Sequence, residues 1–279
     1  MPGNNAKKPI DKSRRAVILA TVGIVVILGL AVFYVAVVAP LREVHATLRD
    51  WEDGQVSGDE VIARLGGPER AAHRLVTYLR LPRWLGTDRR YTADMLGYIG
   101  PEAKAAVPAL VKALGDSDTG VLYCVARALG KIGPEAKAAV PALVKTLGDS
   151  DPIVRVNATW ALGEIGPDAK DAVPALVKAL DGADAHAMRA AAALALGNMG
   201  SPTEEILSAL IKALSDKEAV VRACAAWALC NLGPDAKTAV SALEKLLKDE
   251  SADVRAAAAS AIEKIHGGIP VPDAPSEAP

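Results

Sequence analysis

Phenylalanine occurs once in the 279 residues, cysteine three times and histidine four times. With aromatics at only 4% and Ala and Leu in excess, the core is one of small side chains between closely packed helices. His45, His73, His186 and His266 are scattered, and none is followed by Glu. No C-x-x-C, H-E-x-x-H, Gly-rich phosphate loop or G-x-S-x-G occurs, so neither a metal nor a catalytic motif presents itself. A net charge of −1 argues against general nucleic-acid binding. Cys224 and Cys230 share one predicted helix and stand about 9 Å apart along its axis, too far for an unstrained disulfide. Together with Cys124 they read as small apolar residues.

What the chain does have is a 33-residue repeat, opened by Gly100, Gly133, Gly166, Gly200 and Gly233. GPEAKAAVPALVKALGDSD from Gly100 and GPEAKAAVPALVKTLGDSD from Gly133 differ at one position. A period in the range of about 20–50 residues means stacked helical units that share a continuous core. A degenerate copy begins at Gly67, giving repeats at 67–99, 100–132, 133–165, 166–199, 200–232 and 233–265. Irregular terminal copies are expected of an array that lacks a neighbour on one side. The tail after His266, GGIPVPDAPSEAP, has the composition of disorder (266–279).

Within residues 133–165 the pattern predicts two helices. Val140, Leu143, Val144 and Leu147 give helix A one apolar face, and Pro141 is tolerated in or near its first turn or at a kink. Gly148 to Asp151 is the turn, with Asp151 as N-cap and Pro152 opening helix B. Val154, Ala158, Ala161, Leu162 and Ile165 form the core stripe of helix B.

Ahead of the repeats, Ala16 to Ala39 carries no charge, ends at Pro40, and as a helix is about 36 Å long, enough to span a bilayer core. Its length and poor cleavage site favour an uncleaved anchor over a signal peptide. Lys7, Lys8, Lys12, Arg14 and Arg15 precede it, so the positive-inside rule puts residues 1–15 in the cytoplasm and the repeats on the periplasmic side. Residues 40–66 read as stalk and helical lead-in. Leu41, Val44, Leu48 and Trp51 form an amphipathic helix that rests on the membrane surface or on the first repeat, and Ser57 and Glu60 have capping-box spacing.

The motif AVPALVKAL followed by D-x-x-V-R-x-x-A-x-x-A-L-G-x-I-G, Asp151 to Gly166, resembles the HEAT repeat, in the short form also found in phycobilisome lyase subunits. The resemblance implies an all-α, right-handed solenoid of about six helix pairs, with helix B on the concave side. It also implies a ladder between a turn Asp (Asp116, Asp149, Asp216, Asp249) and a helix-B Arg (Arg89, Arg155, Arg189, Arg222, Arg255), interrupted by Leu122. HEAT-like di-iron hydroxylases use His-Glu pairs and HEAT-like DNA glycosylases a basic groove; this chain has neither.

Function should sit where the copies differ off the core stripe. One helix-B position carries Arg127, Trp160, Leu194, Trp227 and Ser260; others carry Tyr123, then Cys124 and Asn157, then Lys131, Glu164, Asn198 and Asn231. Exposed Trp, Tyr and Arg anchor protein interfaces. Tyr123, Arg127, Asn157, Trp160, Glu164, Leu194, Trp227 and Asn231 are therefore the candidate contacts of a non-catalytic, membrane-anchored scaffold or adaptor. The expected partner is a protein or peptide, with no cofactor, metal or nucleic acid. The resemblance also allows an accessory subunit of a lyase-like cofactor-attachment enzyme.

Overall fold

The computed structural model describes residues 39–80, 88–182, 185–200 and 202–267. Residues 1–15, the apolar segment 16–39 except Ala39 itself, and the tail beyond Gly267 lie outside them. Among the described residues all regular structure is helical, and no helix is long and apolar enough to cross a membrane.

The lead-in is α1 (Ala39–Glu52) and α2 (Gly58–Arg64). Pro40 stands in the first turn of α1, where a missing N–H costs no helical bond. Val44 and Leu48 are buried, and Leu41 and Trp51 are packed against the core. The apolar side of α1 thus rests on the first repeat. Ion pairs Arg74–Glu43 (2.7 Å) and Arg64–Asp50 (2.8 Å) tie α1 to its neighbours. Ser57 caps α2 by accepting from the Glu60 N–H at 3.2 Å, but the Glu60 carboxylate turns to Arg64 and leaves the box half closed.

The repeats alternate an A and a B helix. The A helices are α3 (Pro68–Leu79), α5 (Val107–Ala113), α7 (Val140–Thr146), α9 (Val173–Asp181), α11 (Glu204–Ala213) and α13 (Val240–Leu246). The B helices are α4 (Arg89–Ile99), α6 (Thr119–Ile132), α8 (Pro152–Ile165), α10 (His186–Asn198), α12 (Ala219–Leu232) and α14 (Ala252–Ile265). Four A helices are entered through a 3-10 turn: Gly100–Ala106, Gly133–Ala139, Gly166–Ala172 and Gly233–Ala239. Residues i and i+3 eclipse in a 3-10 helix. Ala136 and Ala139 therefore share one side, and both are fully buried, as are their counterparts in the other three turns. Pro141 follows at the second position of α7.

The expected core stripe of α8, Val154, Ala158, Ala161, Leu162 and Ile165, is buried throughout. Asp151 caps it, accepting from the Ile153 N–H at 2.8 Å. Each B helix packs on the next, α4 on α6 on α8 on α10 on α12 on α14. Glycine makes this approach possible. A Cβ on Gly97, Gly130, Gly163 or Gly197 would lie 3.0, 3.1, 2.9 or 2.6 Å from the Cα of Ala128, Ala161, Ala195 or Ala228 in the next helix. At the last joint Cys230 takes the glycine position, and its thiol donates to the Ser260 carbonyl at 3.7 Å.

The Arg–Asp ladder forms at three joints, Arg89–Asp116, Arg189–Asp216 and Arg222–Asp249. The last two are two-pronged: Arg222 Nε and Nη2 donate to the two Asp249 oxygens at 2.8 Å each. Arg222 Nη1 also caps its own turn, donating to the Asp216 carbonyl at 2.9 Å. Leu122 interrupts the ladder before Asp149 and is itself buried.

Three outcomes follow. Gly197→Val should cost about 1–3 kcal/mol, because the Ala228 backbone cannot give way; urea unfolding followed by circular dichroism checks this. Arg222→Ala, which strands a largely buried carboxylate, should cost about 3 kcal/mol in the same assay. The Asp216 and Asp249 carboxyls are held below the usual carboxylate range, first by the hydrogen bonds from Arg189 and Arg222. Because the folded pKa is the lower one, their contribution is complete above the unfolded value of about 4 and lost as pH falls through the folded value. Stability measured from pH 5 downward should therefore drop in the wild type and drop less in an Asp216→Asn, Asp249→Asn double variant.

Candidate interaction face

Each B helix has one side turned away from both the core and its neighbours. On α8 that side carries Ile153, Asn157, Trp160 and Glu164, spaced i, i+4, i+7 and i+11. On α12 the same register carries Val220, Cys224, Trp227 and Asn231. Among the described residues the exposed large apolar side chains are Tyr98 (45%), Ile153 (61%), Trp160 (42%), Val220 (47%) and Trp227 (46%). All five belong to B helices, and none lies on an A helix. Between the two tryptophan-bearing helices runs α10, whose side offers the small Ala187, the buried Ala191 and the half-buried Leu194 and Asn198. Large, small and large helices thus alternate along the face.

The candidate residues occupy this face in two states. Trp160, Glu164, Trp227 and Asn231 are exposed, and Leu194 is half-buried between the tryptophans. Asn231 Nδ2 donates to Asn198 Oδ1 at 3.2 Å, so two neighbouring repeats present linked side-chain amides. Asn157 is turned on its own helix, donating to the Ile153 carbonyl at 2.8 Å. Arg127 and Tyr123 are committed to internal contacts. Arg127 Nη2 pairs with Asp94 at 2.7 Å, Nη1 donates to the Tyr123 hydroxyl at 3.3 Å, and the guanidinium lies 5.3 Å from the Tyr123 ring centroid. Arg127 and Tyr123 on α6 are thus held by internal contacts, whereas Ile153, Trp160, Val220 and Trp227 on α8 and α12 stand exposed.

Sequence reasoning passed over Asp94, Ile153 and Val220. Asp94 lies one period before Arg127, in the degenerate copy, and only alignment through that copy pairs them. Ile153 and Val220 lie seven residues before Trp160 and Trp227, and that two-turn spacing was the available signal. Tyr98 is partly engaged, since its hydroxyl donates to Asp59 at 3.1 Å. The described residues contain no group of three or more His, Cys, Asp or Glu arranged for a metal ion. Cys124 is buried below this surface, and its thiol is pushed up to about 12, first by burial and then by the charge of Asp94. Burial raises the Cys224 and Cys230 thiols as well.

The family profile for HEAT repeats matches residues 86–145, 140–207 and 207–275. An engineered protein of known structure is 30% identical with a TM-score of 0.53, over 71% of this chain and 97% of its own. A computationally designed armadillo repeat protein for modular peptide recognition is 25% identical with a TM-score of 0.50, over 68% of this chain and 98% of its own. A chain of the complex of CpcE and CpcF of phycocyanin lyase from Nostoc sp. PCC7120 is 26% identical with a TM-score of 0.45, over 55% of this chain and 96% of its own. No curated protein matches.

Cysteine chemistry offers a check on the packing of this layer. Iodoacetamide at pH 8 should leave Cys124 unmodified in the folded protein, because the thiolate fraction is about one in ten thousand at that pH. In urea the same residue should be fully alkylated, as read by peptide mass spectrometry.

Proposed function

This chain belongs to the HEAT-repeat family, and from that premise we propose that it works as a scaffold or adaptor, holding a partner protein or peptide on the free face of its B helices. The observation that carries the reading is the placement of the exposed large apolar side chains, which among the described residues all lie on B helices. A soluble surface does not gather such side chains on one side without a use for them. The anchor pair is Trp160 and Trp227, with Leu194 between them and the amides of Asn198 and Asn231 at the rim. Indoles that stand half out of a rigid surface lose their remaining water when a partner arrives, which is where binding energy concentrates. The designed relative made for peptide recognition supports the same use of a stacked-helix surface.

Residues 16–39 complete the proposal as a membrane anchor, with the repeats on the periplasmic side, on the strength of their uncharged run and the basic residues before it. The role is a binding role; the described residues gather no catalytic constellation on this face.

The test uses the full chain in its native host, with a photo-crosslinking residue in place of Leu194 and a tag after Pro279. A discrete crosslinked product is expected. Trp160→Ala and Trp227→Ala together should reduce it more than about tenfold while the helical circular-dichroism spectrum is unchanged. An unchanged product in the double variant overturns the role of the face. The tag should become protease-accessible once the outer barrier is opened; protection with the inner membrane intact reverses the proposed topology.

A further inference from the structure

Each B helix meets the following repeat through positions at i, i+4 and i+8, which share one side of a helix. In the fifth repeat these are Arg222, Ala226 and Cys230, and in the sixth they are Arg255, Ala259 and Glu263. The middle position is fully buried in the five earlier repeats, as Ala93, Ala126, Thr159, Ala193 and Ala226, whereas Ala259 is exposed. Arg255 is nonetheless held in the manner of Arg222. Its Nη1 donates to the carbonyls of Asp249 at 2.7 Å and Glu250 at 3.0 Å, as Arg222 Nη1 donates to those of Asp216 and Lys217. The other edge of Arg222, Nε and Nη2, then grips Asp249 of the next repeat. The same edge of Arg255 is left facing past the last repeat and meets no acceptor among the described residues. The end of the array thus presents an anchored guanidinium fork, the shape that receives a carboxylate.

A further repeat stacked in the usual sense cannot supply that carboxylate. At the third position the inner helices carry Gly97, Gly130, Gly163, Gly197 and Cys230. A Cβ on any of the four glycines would come within 3.1 Å of a Cα in the next helix, so Glu263 bars a helix laid parallel to α14 at that spacing. The front of the array does not offer the acceptor either. There α1 and α2 lie against α4 through the Tyr91–Glu52 and Tyr98–Asp59 hydrogen bonds, and the sequence position one period before Asp116 is Arg83. An antiparallel helix meets the end differently. Arg255 and Glu263 stand about 6 Å to either side of Ala259 along the axis, at 1.5 Å per residue. A second α14 laid antiparallel, Ala259 on Ala259, brings the glutamate of each copy to the arginine of the other. The small central side chain lets the two axes approach, and the contact is isologous, so it closes at two copies.

We propose that the exposed side of α14 is a dimer interface on which a second copy of this chain docks antiparallel, with Arg255 and Glu263 of each copy paired to Glu263 and Arg255 of the other. The glutamate that ends the array is then also the group that joins two arrays. The interface includes none of Trp160, Leu194 and Trp227, so it stands or falls apart from the partner-binding reading.

The test is charge exchange in the full chain, solubilised in detergent, with the mass read by analytical ultracentrifugation. The wild type should dimerise at micromolar concentration. Arg255→Glu and Glu263→Arg should each weaken dimerisation more than about tenfold, because each sets like charges together at both contacts. Glu263→Arg breaks no described contact within the chain, so its effect does not come from unfolding. Mixed in equal amounts, the two single variants should form a one-to-one heterodimer, since every acid then faces a base. A monomeric wild type, single variants that dimerise like the wild type, or a mixture that stays monomeric overturns the proposal. A photo-crosslinking residue in place of Ala259 should join α14 to α14 of a second copy, as mapped by mass spectrometry. Products joined within one chain or to an unrelated protein assign the face to another occupant and overturn it as well.

Discussion

Contact between successive B helices, glycine against alanine, is the constraint on which everything else in this molecule depends. At Gly97, Gly130, Gly163 and Gly197 a side chain of any size would meet the next helix within 3.1 Å of a backbone atom. The B helices can therefore lie nearly backbone to backbone, and their narrow stripes of alanine and leucine bury fully. That close row explains the near absence of phenylalanine, because there is no space between the helices for a ring to fill. It also leaves the indoles of Trp160 and Trp227 on the outer side of their helices, where they are exposed.

Electrostatics acts on this frame as a second fastening. Arg189 and Arg222 each join two repeats and satisfy the carbonyls or carboxylate of a turn, so the turn geometry and the stacking geometry support each other. These pairs sit where the A–B turn of one repeat meets the first turn of the B helix before it, and none of them includes a residue of the Trp160, Leu194 and Trp227 row. Fold and face are consequently separable: the face can vary in sequence without disturbing what holds the row together.

Much of the architecture was legible in the sequence because identical environments recur every 33 residues, and a recurring residue there reports a recurring contact. The stripe through Val154, Ala158, Ala161, Leu162 and Ile165, the N-cap at Asp151 and the place of Pro141 all came from local rules that the packing does not override. The 3-10 entry to helix A was not legible, because G-P-E-A-K-A-A also reads as the opening of an ordinary helix; only the burial of Ala136 and Ala139 together separates the two. Gly130 and Gly163 were similarly opaque, since a glycine in a helix signals close approach only once the neighbour is known. On the face, periodicity located Trp160 and Trp227. It could not tell a free arginine from one that an aspartate holds, and Arg127 is held by Asp94, one period earlier: alignment gives the register of the two positions but not the contact between their side chains.

Leu122 has a mechanical consequence. At the joints α4–α6, α10–α12 and α12–α14 an arginine clasp fastens one repeat to the next. Between α6 and α8 the buried Leu122 stands where the arginine would be, and the buried helix stripes and the long Lys104–Glu135 pair (3.9 Å) join the two repeats instead. Burial is non-directional, so a joint held mainly by it tolerates a small rotation better than one held by a two-pronged hydrogen bond. This joint falls between Arg127 and Trp160, and a rotation there would change the distance between those two parts of the face.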